Sequence, residues 1–158
     1  MRRFLLASIL REVQRHFGFL YEKGYSIKHA DYDSQHFGNW IVIFESSATA
    51  IEIYSDRGAI LLALRPRRSE GRDGIGLEAM IYFLSHEQEF VEGFKGNLLW
   101  GKNRQYERLA RLLREYIDLI TPYFGSEYET YRRQLMLAQE KYNELALEKH
   151  LLDRKRRQ

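Results

Sequence analysis

The sequence predicts an α+β fold: an N-terminal helix, a four-stranded antiparallel β-meander, then C-terminal helices including a long antiparallel helical hairpin. Three observations predict it. Leu6, Ile9, Leu10, Val13 and Phe17 recur at spacings of three and four, which is a helical stripe. Four short runs rich in β-branched and aromatic residues follow, joined by links too short for a parallel crossover. The last third then returns to helical spacing over two long runs.

The opening helix carries Arg3, Arg11 and Arg15 opposite its stripe, and Gly18 interrupts it. A short turn over Phe19 to Lys23 ends at Gly24, a residue that accepts the left-handed conformation of a helix C-terminus. The apolar run from Phe4 to Leu10 is short and passes directly into charged residues, so it reads as a helix rather than a targeting signal.

Tyr25 to Tyr32 is mixed in polarity and reads as an edge strand. Trp40 to Glu45 is β-branched and aromatic, as a central strand should be. Thr49 to Ser55 alternates, with Ile51 and Ile53 on one face and Glu52 and Tyr54 on the other. Asp56–Arg57–Gly58 supplies a tight hairpin, and Ala59 to Leu64 is the fourth strand, closed by Arg65–Pro66. That strand is apolar on both faces, through Ile60, Leu62 and Leu64 on one and Leu61 and Ala63 on the other. Helices are therefore expected to cover it on both sides.

Residues 67 to 76, RRSEGRDGIG, read as a loop. Leu77 to Leu84 has helical spacing, and Ser85 with Gln88 suggests the start of another brief helix ending by Gly93. Tyr106, Leu109, Leu113, Tyr116, Ile120 and Tyr123 define the first long helix, and Tyr128 to Leu152 the second, with Pro122 and Gly125 between them. The second runs for about 40 Å. The chain is expected to form one α+β domain over 1–158: a head over 1–66, a loop and short helices over 67–100, and the hairpin with a basic tail over 101–158.

The chain has no cysteine, which excludes disulfides, thiolate nucleophiles and cysteine-ligated metals. No HExxH, nucleophile elbow or phosphate-binding glycine loop is present. His29, His36 and Glu45 offer polar groups near the edge strand, and Glu45, Glu52 and Asp56 lie on or beside neighbouring strands, where ion pairs with Arg57 and Arg65 are the expected use. No catalytic, cofactor-binding or metal-binding residue is assigned.

The expected function is a non-catalytic protein–protein interaction or assembly module. Its contact residues would be Tyr25, Tyr32, His36 and Phe37 around the edge strand, which could also accept a partner strand. Tyr131, Leu135, Ala138, Tyr142 and Leu145 would form a seam, either within the chain or in a homodimer. The alternative is a basic adaptor that touches nucleic acid through Arg104, Arg108 and Arg111 and through the tail residues Arg154, Lys155, Arg156 and Arg157. The excess of 25 basic over 22 acidic residues is mild for that role. A small hydrolase using polar residues on the sheet is the third reading. A cytoplasmic setting without membrane contact is expected.

Overall fold

The computed structural model describes residues 2–35, 38–69, 74–93 and 101–156. Helix α1 (Arg2–Phe17) and the short α2 (Phe19–Glu22) lead into strands β1 (Ser26–Asp33), β2 (Asn39–Glu45), β3 (Thr49–Asp56) and β4 (Ala59–Pro66). A fifth strand, β5 (Ile75–Gly76), precedes α3 (Leu77–Leu84), α4 (Lys102–Ile120), a 3-10 turn (Thr121–Phe124) and α5 (Tyr128–Lys155). The sheet is antiparallel throughout, in the order β1-β2-β3-β4-β5.

The turns follow from residue type. Gly24 at φ +81° closes α2, where the Tyr25 N–H donates to the Leu20 carbonyl at 3.0 Å. In the β3–β4 hairpin both central residues have positive φ, Arg57 at 49° and Gly58 at 88°, the turn whose twist matches the flanking strands. Asn39 Oδ1 holds the Arg57 N–H at 3.0 Å, tying this hairpin to the start of β2.

One sheet face is core. Val42, Ile53 and Leu62 stand in one cross-strand row, Phe44, Ile51 and Leu64 in another, and all are buried. Val13, Phe17 and Leu20 cover them from α1 and α2, and Tyr106, Leu109 and Leu113 from α4. Tyr106 lies between His16 and Trp40, with ring centroids 5.2 Å and 6.2 Å away. Burial is the main reason its phenol ionises well above the ordinary tyrosine range, with a smaller push from Glu12.

Four departures from the sequence expectation have physical causes. First, β5 lies in the stretch read as loop, because two residues are too few to show alternation. Second, no helix follows Ser85. His86 and Glu87 take φ of +55° and +65°, which breaks helical propagation, although Ser85 Oγ still accepts the Glu89 N–H at 2.9 Å. Third, the antiparallel pairing of the two long helices is not confirmed. Helix α5 takes α3 and β5 as its principal neighbours. Tyr142 sets its ring against Tyr82 and Phe90, and Gln139 Oε1 accepts the Gly76 N–H at 2.7 Å. Fourth, among the described residues no helix covers the second face of β4 at Leu61, which is 38% exposed, although Arg65 on that side is buried.

Candidate functional site

The uncovered face follows from register. Asp31, Ile41, Tyr54 and Leu61 align across β1, β2, β3 and β4 in one row. His29, Ile43, Glu52 and Ala63 form the next row. Because strand side chains alternate, these residues point away from the helices. Strand β2 supplies isoleucines to this side as well as Val42 and Phe44 to the core. The result is a half-exposed apolar floor with no helix over it among the described residues.

A cleft of about 490 Å³ is lined by Asp31, Asp33, Asn39, Ile41, Glu52, Tyr54, Asp56 and Leu61, with Trp40 and Ser55 beneath. Four of these residues are carboxylates and none is lysine or arginine. The Tyr54 phenol records the local field: burial raises its pKa most, and Glu52, Asp56 and Glu78 raise it further. The depression thus combines an apolar floor with acidic side chains, of which Asp56 is exposed and Glu52 is ion-paired.

One end of the face is closed by ion pairs. Arg65 Nε donates to Glu52 at 2.6 Å, and both side chains are largely buried. The same guanidinium donates to the Ser69 carbonyl at 2.8 Å, which folds the 66–69 turn against the sheet. Arg67 approaches Glu45 at 3.4 Å. Two of the strand acids are thus paired, Glu52 by Arg65 as the sequence suggests and Glu45 by Arg67.

No protein-family model, curated protein or solved structure matches this chain. Its chemistry must be read from the residues.

The sequence-derived candidates distribute unevenly. Tyr25 is 4% exposed and belongs to the core, so it cannot serve as a surface contact. Tyr32 is half-buried on the helix-covered side of β1, and His36 and Phe37 lie outside the described residues. Strand β1 is at the sheet edge, but its register shifts between Ile27 and His29, and such a bulge with Lys28 exposed opposes strand addition. Arg108 is tied down: it donates to Glu78 at 2.9 Å and to the Glu92 carbonyl. That takes it out of the proposed basic ridge, while Arg104 and Arg111 remain exposed. Arg154, Lys155 and Arg156 are exposed at the end of α5, and Arg157 is outside the described residues.

The seam is an intrachain one. Leu135, Ala138 and Tyr142 are buried, Leu145 packs against the core, and Tyr131 meets Tyr123 edge-on at 4.8 Å. Tyr131 and Leu145 are half-buried at the margins of that contact. Among the described residues no three His, Asp or Glu side chains come together as a metal site, and His29 and Glu45 belong to different cross-strand rows. Sequence reading missed Ile41, Tyr54 and Leu61 as surface residues. Their signal was present, since β2 and β4 are apolar on both faces, but periodicity does not say what covers each face.

Proposed function

We propose that the chain is a non-catalytic binding module that receives an apolar, positively charged segment of a protein partner on its open sheet face. The observation that carries this reading is the open sheet face: an apolar floor of Ile41, Tyr54 and Leu61 across neighbouring strands, with Asp56 exposed beside it and Glu52 held by Arg65. Contiguous exposed apolar surface is uncommon on monomeric proteins unless something binds there. Tyrosine and isoleucine give such a partner rigid contact area, and the acids select its charge.

A peptide titration tests it. A fluorescein-labelled amphipathic helix of leucine and lysine should bind the wild-type chain, and the leucine–glutamate counterpart should not. Leu61→Glu or Asp56→Lys should weaken binding by roughly tenfold or more. Equal affinity for both peptides, or no effect of either substitution, would remove the open face from the account.

A further inference from the structure

After α3 the chain crosses the helices as a strap. It leaves the helix through two left-handed residues, His86 at φ +55° and Glu87 at +65°, and the stretch from Gln88 to Gly93 is neither helix nor strand. Side chains of α4 and α5 hold its backbone. The Tyr142 hydroxyl donates to the Val91 carbonyl at 2.7 Å, and Arg108 donates to the Glu92 carbonyl. Side-chain contacts complete the seat. Lys141 pairs with Glu87 at 2.5 Å, and the Tyr116 hydroxyl donates to Glu89 at 3.3 Å. The Phe90 ring stacks on Tyr142 with centroids 5.0 Å apart, and Lys149 Nζ lies 4.0 Å from the centre of the same ring.

These partners give the strap a direction. From Glu89 to Glu92 it passes from Tyr116 to Arg108, antiparallel to α4. That stretch of α4 is about 12 Å long at ~1.5 Å per residue. An extended chain from Glu89 to Glu92 reaches about 10 Å at ~3.3 Å per residue. The strap therefore bridges the two long helices as a nearly extended peptide. It is held as a bound peptide is held, with carbonyls taken by side-chain donors and one ring inserted between acids.

It is also lightly held. Glu87, Gln88 and Glu89 are exposed, and Phe90 and Val91 are only half-buried. The Lys141 and Glu87 side chains are 51% and 46% exposed, a setting in which ion pairs contribute little. Segments with few buried contacts open locally while the rest of a fold stays intact. Opening here releases Lys141 and the Tyr142 hydroxyl and uncovers the Tyr142 ring, while Arg108 keeps Glu78 at 2.9 Å.

We propose that this seat on α4 and α5 is a second binding surface, for an extended acidic segment of a protein partner with a central aromatic residue, and that residues 86–93 occupy it as an intramolecular competitor. The strap specifies the partner's chemistry. Carboxylates meet Lys141 and Tyr116, a ring meets Tyr142 and Lys149, and backbone carbonyls meet Tyr142 and Arg108. The charge required is opposite to that of the segment proposed for the open sheet face, so the two surfaces take different partners.

A fluorescein-labelled peptide of the strap sequence, HEQEFVEG, titrated into the full chain is the test. In the wild type the tethered strap competes, which lowers the apparent affinity by the fraction of chains whose seat is open. Glu87→Lys sets a cation against Lys141, and Phe90→Ala removes the stacked ring. Each variant should bind the peptide at least about tenfold more tightly than the wild type. Adding Lys141→Glu to the Phe90→Ala chain should weaken that binding roughly tenfold, and the lysine peptide HKQKFVKG should bind neither variant. Circular dichroism would verify folding, and Glu87 is exposed, so Glu87→Lys decides the matter if Phe90→Ala does not fold. Equal affinity for the wild type and Glu87→Lys would overturn the proposal. So would no binding to Glu87→Lys at about 1 mM peptide, or equal binding of the lysine peptide.

Discussion

Replacing Gln105 by methionine isolates one buried hydrogen bond that closes the edge of the sheet. Among the described residues β5 pairs only with Ala63 and Leu64, so no strand flanks the rest of β4 on the edge away from β3. There Gln105 Oε1 accepts the Ile60 N–H at 2.7 Å, with Gln105 2% and Ile60 3% exposed. Methionine keeps the volume and helix propensity but removes the acceptor. The orphaned N–H costs about 1–3 kcal/mol, offset in part because a thioether is cheaper to bury than an amide, which leaves a net loss of about 1–2 kcal/mol. For a chain of this size that lowers Tm by about 3–6 °C. Urea unfolding should show a lower midpoint at unchanged slope. Gln139→Met is the comparison. Gln139 accepts the Gly76 N–H at the same 2.7 Å but is only half-buried, so water can replace it, and its loss should stay below about 1 kcal/mol. If Gln105→Met cost less than about 0.5 kcal/mol, or no more than Gln139→Met, the edge-closing role would be refuted.

Three further outcomes are expected. Arg65→Met strips Glu52 of its partner and frees the 66–69 turn, so it should destabilise by about 3 kcal/mol, read by urea unfolding, because a largely buried carboxylate is left unpaired. Arg57→Asn should stabilise by about 0.5 kcal/mol, seen as a rise in Tm, since asparagine tolerates positive φ before Gly58 better than arginine. Burial, and secondarily Glu78, pushes the Tyr142 phenol up to about 12 while its hydroxyl donates to the Val91 carbonyl at 2.7 Å. Its folded pKa lies above the unfolded value, so the stability it contributes is intact below pH ~10 and is lost as pH rises through about 12. Absorbance at the tyrosinate band during alkaline titration should show a late, cooperative step that Tyr142→Phe diminishes.

Much of the fold was legible because it depends on local chemistry. Gly24 and Gly58 fixed where the chain turns, and the alternation of Ile51 and Ile53 fixed which side of β3 is buried. Helical spacing identified the buried face of α5 through Leu135, Ala138 and Tyr142. It did not identify the surface that face meets, because periodicity holds no information on the partner; α3 fills that place. After Ser85 the cause is local: Ser85 does accept a backbone N–H, but α3 ends in a left-handed cap at His86, where the Glu87 N–H donates to the Tyr82 carbonyl at 2.9 Å and the His86 N–H to the Phe83 carbonyl at 3.1 Å. The candidate site is where the pattern misleads: apolar residues on both sides of β4 imply two covers, whereas Leu61 is exposed.

Amide shift mapping of the ¹⁵N-labelled chain during titration with the leucine–lysine helix tests the central claim most directly. The account predicts shifts concentrated on Asp31, Ile41, Tyr54, Asp56 and Leu61, with α3 and α5 unmoved. Shifts spread over Arg104, Arg111 and the exposed end of α5, with the open sheet face silent, would contradict it.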